Sequence, residues 1–182
     1  MITNLRELEK IVGNIIYKES GLTKDRIINA MSVRGPQLSK LITDKVKLSY
    51  DLNDVAIIFE ITNRNNDNVN FSEEINENEI RNNLALEVSV ICYGNASNNI
   101  ANTLRARLLS ERVRSEFLEN DVYIAEVSSA TSLNEFINET VWPRTDFTIN
   151  IDVEMLVKKT IADEPIDKVE SMNVYPTGIT IV

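Results

Sequence analysis

Three carboxylates near the end of the chain have the types and spacing that could bind a divalent cation. Asp146, Asp152 and Glu154 are separated by even numbers of residues, so a β-strand would place all three on one face. Carboxylate oxygens bind Mg²⁺ or Ca²⁺, and such a site could support a small metal-assisted hydrolase. The same alternation is typical of the solvated face of a half-buried sheet, and no glycine-containing calcium loop accompanies it. We therefore expect no metal and no other cofactor, and keep the hydrolase as a minor alternative.

The sequence contains no histidine and one cysteine, and both facts restrict the possible active sites. Serine–histidine triads and histidine-ligated zinc or iron sites need an imidazole. Cys92 cannot form an intrachain disulfide, and its place in a predicted strand indicates a buried, inert thiol. The five glycines are isolated, so they form no glycine-rich phosphate loop. The composition predicts that the protein is not an enzyme.

Arginines are concentrated in one predicted helix, at Arg105, Arg107, Arg112 and Arg114. Basic clusters can bind nucleic acid, but here glutamates lie between and after them, at positions 111, 116 and 119. Salt bridges on a solvated face, or between subunits, are favoured over DNA contact. We predict that Arg105 and Arg112 take part in contacts between subunits.

Two aromatic residues are further candidates for contacts between subunits. Trp142, the only tryptophan, comes two residues before Arg144 and just before the clearest predicted strand. Tryptophan and arginine are frequent anchors of protein interfaces, so we predict an interface at Trp142, Arg144 and Asp146. The alternative is that Trp142 covers the core. Phe71 is the only aromatic residue of a polar segment, and could dock that segment onto a neighbour or anchor it locally.

The elements that position these residues follow from the spacing of apolar residues. Asn4 and Glu7 fit a helix start, and leucine, isoleucine and valine then recur at helical spacing, which predicts a helix over about residues 4–19. A second helix is predicted over about residues 98–118. Alternation predicts strands over 54–62, 84–93, 122–127 and 146–157, and residues 128–140 could hold a helical turn. The fold class is α+β, a small, mostly antiparallel sheet flanked by two main helices.

One domain is expected over residues 1–158, with a long polar loop at 63–83. Residues 159–182 form an acidic extension that includes the strand-like peptide Gly-Ile-Thr-Ile-Val. This peptide could add to the sheet edge of another subunit, or belong to an unstructured tail. No apolar run approaches the roughly 20 residues that span a bilayer, and the polar first residues predict no signal peptide.

The net charge of −9 is unevenly distributed along the chain. Residues 1–50 carry nine Lys or Arg against five Asp or Glu, whereas the remaining residues carry ten against 23. Tight binding of wrapped DNA requires basic groups that neutralise phosphates, which an acidic body does not supply. Such a surface is compatible with DNA that slides past, and equally with ordinary solubility.

The order of these elements resembles the tail-terminator, or neck, proteins of tailed bacteriophages. Three segments carry the resemblance: residues 84–93 leading into Ala-Asn-Thr-Leu-Arg-Ala-Arg-Leu at 101–108, Val-Tyr-Ile-Ala-Glu-Val at 122–127, and Trp-x-Arg-x-Asp-Phe at 142–147. The resemblance covers residues 55–158, and residues 1–50 more loosely, while residues 159–182 depart from it.

The resemblance implies a structural protein of the virion tail or neck that assembles in the host cytoplasm. Proteins of this kind form a ring, here expected to be a hexamer, that caps the tail tube, ends its polymerisation and docks to the head. The implied partners are other copies of the chain, the tail tube protein, neck or head connector proteins and, in contractile tails, the sheath. Genomic DNA would pass through the lumen without specific binding, and no membrane is involved. The alternative is another ring protein of the neck or tail, such as a head-completion or tube protein.

Overall fold

The computed structural model describes residues 2–30, 53–64, 71–137 and 140–158. Within these ranges the helices are α1 (Leu5–Ser20), α2 (Ser97–Leu108) and α3 (Glu111–Leu118). A short 3₁₀ turn, Lys24–Arg26, follows α1. The seven strands are β1 (Ile27–Asn29), β2 (Ala56–Asn63), β3 (Phe71–Asn76), β4 (Glu79–Tyr93), β5 (Val122–Val127), β6 (Thr131–Ile137) and β7 (Thr140–Lys158). The predicted α+β class is confirmed.

Helix α1 begins and ends where the local chemistry predicts. Asn4 Oδ1 accepts a hydrogen bond from the backbone N–H of Glu7 at 3.0 Å, and the Glu7 carboxylate accepts one from the N–H of Thr3 at 2.9 Å. Gly21 ends the helix in the left-handed conformation, with φ of 72°. The helix buries one stripe of its surface, Leu8, Val12, Ile15 and Ile16.

The cap predicts a measurable loss of stability. Asn4→Ala leaves the N–H of Glu7 without its side-chain acceptor, so we expect the free energy of unfolding to fall by about 1 kcal/mol. Urea denaturation followed by circular dichroism measures this loss. The same substitution at the exposed position Asn14, inside the helix, is the control, and should not destabilise because alanine is the better helix former. Equal stability of Asn4→Ala and the unsubstituted protein would contradict the role of the cap.

The single helix predicted over residues 98–118 is wrong, because α2 and α3 are separate. Ser110 lies between them in an extended conformation, with φ of −70° and ψ of 147°. Leu104 and Leu108 are four residues apart, but the next core residue, Val113, comes five residues later. An unbroken helix would rotate Val113 and Phe117 away from the face that α2 buries, since each residue adds about 100°. The break turns α3 so that both residues reach the core.

The sheet is mostly antiparallel, as predicted, with the strand order β1-β2-β4-β7-β5. Strands β2 and β4 form the expected antiparallel pair, and β1 pairs with β2 in parallel. Strand β7 pairs with β4 along one edge and with β5 and then β6 along the other. The helical turn considered for residues 128–140 is wrong for 131–137, where β6 forms a hairpin with β7. Leu133 and Phe136, two of the apolar residues that suggested the turn, have exposed side chains. They therefore do not form the buried face of a helix.

The long polar loop predicted over residues 63–83 is also largely wrong. Strand β3 pairs with the first residues of β4, and Glu73 lies opposite Arg81 in the register. The first residues of β4 also pair with the end of β7, so these three strands extend the sheet as an arm. Strand β3 is exposed from Ser72 to Asn76, and backbone hydrogen bonds between strands do not require apolar side chains. The sequence pattern therefore did not indicate a strand here. Residues 65–70 and the predicted extension 159–182 lie outside the described residues.

The main core lies between the three helices and one face of the sheet. Alternate residues of β2, β4 and β7 face the helices, among them Ile57, Val88 and Ile149. Helix α1 lies so close to β2 that a Cβ added at Gly13 would be 3.0 Å from the ring of Phe59. Cys92 belongs to this core, and its burial raises the pKa of its thiol to about 12. The opposite face of the sheet carries a second, smaller core around Trp142.

Candidate interaction surfaces

Trp142 lies in the second core, on the sheet face that none of the described helices covers; we call it the open face. Its side chain is only 4% exposed and packs in a cluster with Tyr93, Ile28, Ile58 and Ala30. Its indole Nε1 is buried and has no hydrogen-bond partner among the described residues. This position fits the alternative in which Trp142 covers a core, because a side chain this buried offers little surface to a neighbouring subunit.

Arg144 forms a charged cluster with Asp146, Glu135 and Tyr93, close to Trp142. Its Nε and Nη2 atoms donate to the two carboxylate oxygens of Asp146, at 2.8 and 2.6 Å. Its Nη1 donates to Glu135 at 2.9 Å, and its guanidinium lies 5.7 Å from the ring centroid of Tyr93. The hydroxyl of Tyr93 donates to the same Glu135 oxygen at 2.6 Å. The cluster therefore ties β4, β6 and β7 together on the open face.

These contacts shift the pKa of Arg144, Tyr93 and Glu135. Hydrogen bonds to Asp146 outweigh burial and raise the pKa of Arg144, so its guanidinium stays charged. Burial and the hydrogen bond to Glu135 raise the pKa of Tyr93 well above its usual range. Burial opposes the charge of Glu135, but the hydrogen bonds from Tyr93 and Arg144 outweigh it and lower the pKa of this carboxyl.

The lowered pKa of Glu135 predicts a pH dependence of stability. The carboxylate stabilises the fold above its unfolded pKa of about 4.3, and this contribution disappears as the pH falls through the lower folded pKa. Glu135→Gln should therefore weaken the dependence of the urea midpoint on pH between about pH 5 and about pH 3. Glu111→Gln, at an exposed position of α3, is the control and should leave the dependence unchanged. The same slope in the unsubstituted protein and in Glu135→Gln would contradict this role.

The carboxylates considered for a metal lie on one face of β7, as predicted, but each faces an arginine. Asp146 pairs with Arg144, as described above. Arg64 Nη2 lies 3.3 Å from Asp152 Oδ1, and Arg81 Nε lies 3.1 Å from Glu154 Oε1. Within the described ranges, no three or more Asp, Glu or Cys side chains converge in a way that could hold a metal ion. The sequence alone did not indicate these arginine partners, because Arg64 and Arg81 are distant from β7 along the chain.

The arginines of α2 and α3 contact the end of α1 and the segment after β5. Arg112 Nη2 donates to the buried carboxylate of Glu19 at 2.6 Å, and Arg107 donates to the Glu19 backbone carbonyl at 2.5 Å. These contacts neutralise a carboxylate that is otherwise unfavourable in the last turn of a helix. Arg105 donates to the backbone carbonyl of Ser128. Arg112 is still 59% exposed, so its side chain also remains accessible.

The remaining predicted contact residue is Phe71. Its backbone begins β3 opposite Asn83. The position of its side chain lies outside what the structure describes.

Exposed apolar residues reveal two further surfaces that the sequence analysis missed. At the end of the β6–β7 hairpin, Phe136 is 72% exposed and lies opposite Val141, which is 51% exposed; we call this pair the hairpin tip. A cavity of about 360 Å³ lies between α3 and β5; we call it the α3–β5 groove, and it is lined by Leu109, Glu111, Arg114, Ser115, Leu118, Tyr123 and Ile124. Isolated exposed apolar residues are common, but grouped ones often mark interaction sites.

Comparison with protein families decides the class of the molecule. Residues 47–179, which include all strands after β1 and the last two helices, match the model of a family described as phage neck terminator protein. The chain belongs to this family. The resemblance noted in the sequence is confirmed, and the chain is a structural protein of the phage neck. A comparison with curated proteins gave no match.

Membership of the neck terminator family places the protein in the neck or tail of a virion, among other head and tail proteins. A structural role agrees with the charged cluster around Arg144, whose side chains are engaged with one another. None of the helices within the described ranges is long and apolar enough to cross a membrane.

Proposed function

We propose that the protein forms a ring of six copies that caps the tail tube, ends its polymerisation and provides the surface to which the head connector docks. The observation that carries this proposal is the match to the phage neck terminator family over residues 47–179. A terminator must bind the last ring of the tube on one side and present a different surface on the other. In a contractile tail, the same ring would also meet the end of the sheath.

A closed ring needs two different contact surfaces on every subunit. The hairpin tip and the α3–β5 groove are chemically suited to such contacts, because both expose apolar side chains. Val141 belongs to the hairpin tip, and Asp152 pairs with Tyr123 of the groove. These two residues are eleven positions apart along β7, a distance of roughly 35 Å at strand spacing. The two surfaces can therefore contact different neighbours without competing for the same space.

The charge of the chain suits a channel through which DNA moves. The net charge is −9, and the open face of the sheet carries Glu60 and Glu87 among its residues. If this face lines the lumen, its carboxylates repel the phosphates of the genome, so that DNA passes without specific binding.

The contact residues predicted from the sequence would act in different ways in this ring. Arg112 has an accessible guanidinium that could pair with an acidic group of a neighbour. Trp142 and Arg144 would act indirectly, since they hold β6 and β7 in position beneath the hairpin tip. Asp146 would keep Arg144 oriented, and Phe71 and Arg105 stay candidates for contact at the arm and at α2.

The proposal is tested by the mass of the purified protein and by negative-stain imaging with isolated tail tubes. We expect rings of about six times the chain mass of 20.6 kDa, or decoration of tube ends alone. Phe136→Ser should shift the mass towards smaller species, because it removes apolar surface at the hairpin tip. Tyr17→Ser, at an aromatic residue that is 41% exposed on α1, is the matched control.

Two outcomes would contradict this function. Long tubes formed by the protein alone would indicate a tube protein, since a terminator stops at one ring. A monomer that ignores tail tubes would remove the support for any ring protein of the neck.

A further inference from the structure

The α3–β5 groove runs along a free edge of the sheet. Strand β5 is the last in the strand order, and within the described residues β7 is its one hydrogen-bonded neighbour. Tyr123 and Ile124 are consecutive, so their side chains point to opposite faces of the sheet. Both residues line the cavity, so the groove lies against β5 at the outer edge of the sheet. Among the described residues, the side of β5 that faces away from β7 has no strand partner.

The opposite wall of the groove is one stripe of α3. Glu111, Arg114, Ser115 and Leu118 follow one another at helical spacing and line the cavity. Leu118 is 63% exposed and Tyr123 is 57% exposed, which is a high exposure for large apolar side chains. A free strand edge beside an apolar wall can accept an added strand, because the backbone supplies hydrogen bonds and the wall receives alternate side chains.

The sequence contains a segment with the chemistry that this groove requires. Residues 178–182 read Gly-Ile-Thr-Ile-Val, in which two isoleucines alternate with a threonine, as in a strand. The nineteen residues 159–177 separate this peptide from the end of β7 and span up to about 65 Å when extended. Lys158 is five residues beyond Val153, which pairs with the first residue of β5, so the end of β7 is roughly 17 Å from β5 along the strand. The linker can therefore reach the groove of the same chain or of an adjacent one.

Charge complementarity favours the same pairing. The linker contains four carboxylates and two lysines, whereas α2 and α3 together carry four arginines and two glutamates. Arg114 lines the groove itself, and Arg112 is exposed on the same helix. An acidic linker that crosses this surface gains favourable electrostatic contacts at low ionic strength.

We infer that residues 179–182 of one copy bind the α3–β5 groove of a neighbouring copy and extend its sheet next to β5. This inference rests on the proposed ring, in which the extension of one subunit and the groove of the next form a head-to-tail contact. Ile179 and Ile181 pack against Leu118, while Thr180 faces away from α3. The added strand covers the free edge of β5 and fastens adjacent subunits together.

Disulfide crosslinking of the full chain tests the contact directly, because the native cysteine, Cys92, is completely buried. One protein carries Tyr123→Cys, and a second protein of different tagged size carries Thr180→Cys. After mixing and oxidation, we expect a reducible heterodimer on a gel. Ser115→Cys on the opposite wall, paired with Ile181→Cys because Ile181 faces α3, provides a second position, so that one unfavourable register does not decide the result. Asn14→Cys, on the exposed side of α1, is the control and should give about tenfold less crosslinked product.

The self-association of further variants provides an independent measurement. Replacing Ile179 and Ile181 together by aspartate, or Leu118 by aspartate, should weaken self-association at least about tenfold in sedimentation experiments. Thr180→Asp is the matched control for the extension and should have a much smaller effect. Leu118 is largely exposed, so its replacement should not prevent folding.

The outcomes separate this inference from the proposed function. A chain that carries both Tyr123→Cys and Thr180→Cys and closes only a disulfide within itself would overturn the inference in favour of the same chain's groove. Absence of the crosslink at both groove positions would also overturn it. If rings still form in those samples, the proposed function stands without this contact. If the unsubstituted protein forms no rings and does not bind tube ends, the proposed function itself is refuted.

Discussion

Phe117→Ala is expected to lower the free energy of unfolding by about 3–5 kcal/mol, the usual cost of deleting a buried phenyl ring. The side chain of Phe117 is 1% exposed and is among the largest fully buried ones in the main core. Its ring reaches the core because the helix is interrupted at Ser110, so alanine would leave a cavity beneath α3. The chain around this cavity is held by the β5–β7 ladder, which limits how far it can collapse.

Thermal denaturation followed by circular dichroism measures this effect, with all variants at one protein concentration because an oligomer's midpoint depends on it. A loss of this size corresponds to a midpoint lower by roughly 10 °C for a chain of this length. Glu119→Ala is the control, since this side chain at the end of α3 is exposed and should cost much less. Similar losses for the two substitutions would contradict the orientation of α3.

Gly94→Ala is expected to destabilise the protein by about 3 kcal/mol or more, through backbone geometry. Gly94 follows the end of β4 with φ of 114°, a conformation that residues with a Cβ rarely adopt. A Cβ at this position would lie 2.1 Å from the backbone carbonyl oxygen of Asp54. The Gly94 N–H also donates to the carbonyl of Pro143 at 2.9 Å, so the backbone cannot move away without losing this hydrogen bond.

Gly21→Ala separates the cost of the left-handed backbone conformation from the cost of a steric clash. Gly21 also has a positive φ, 72°, but a Cβ there would meet no atom within 4 Å. We expect a loss of about 1–2 kcal/mol from the left-handed conformation alone. Urea denaturation of both variants should therefore show a clearly larger loss for Gly94→Ala. Equal losses would mean that the contact with Asp54 carries no cost of its own.

Local patterns predicted the elements whose boundaries depend on nearby residues. The cap at Asn4 and the glycine at position 21 define α1, and clean alternation defines β2, most of β4 and β5. The composition also limited the chemistry, because a chain without histidine cannot build the common triads or histidine-ligated metal sites. The family resemblance depended on the order of these elements, which is a property of the sequence.

The elements that the sequence misassigned depend on contacts between distant parts of the chain. Strand β3 is exposed, so it has no apolar alternation, and its ladder partner in β4 defines it. The break between α2 and α3 becomes necessary only when Val113 and Phe117 must meet the same core as Leu108. A sequence pattern reports which side of an element is apolar, and it does not report what that side meets.

The same distinction applies to the candidate sites. The sequence alone determined that Asp146, Asp152 and Glu154 share one face of a strand, because the period of a strand is a local property. Only the tertiary structure placed Arg64 and Arg81 beside two of these carboxylates, buried Trp142 in a second core, and formed the α3–β5 groove. Strand register and helix packing bring together residues that are distant in sequence, and neither can be read from the spacing of residues within a single element.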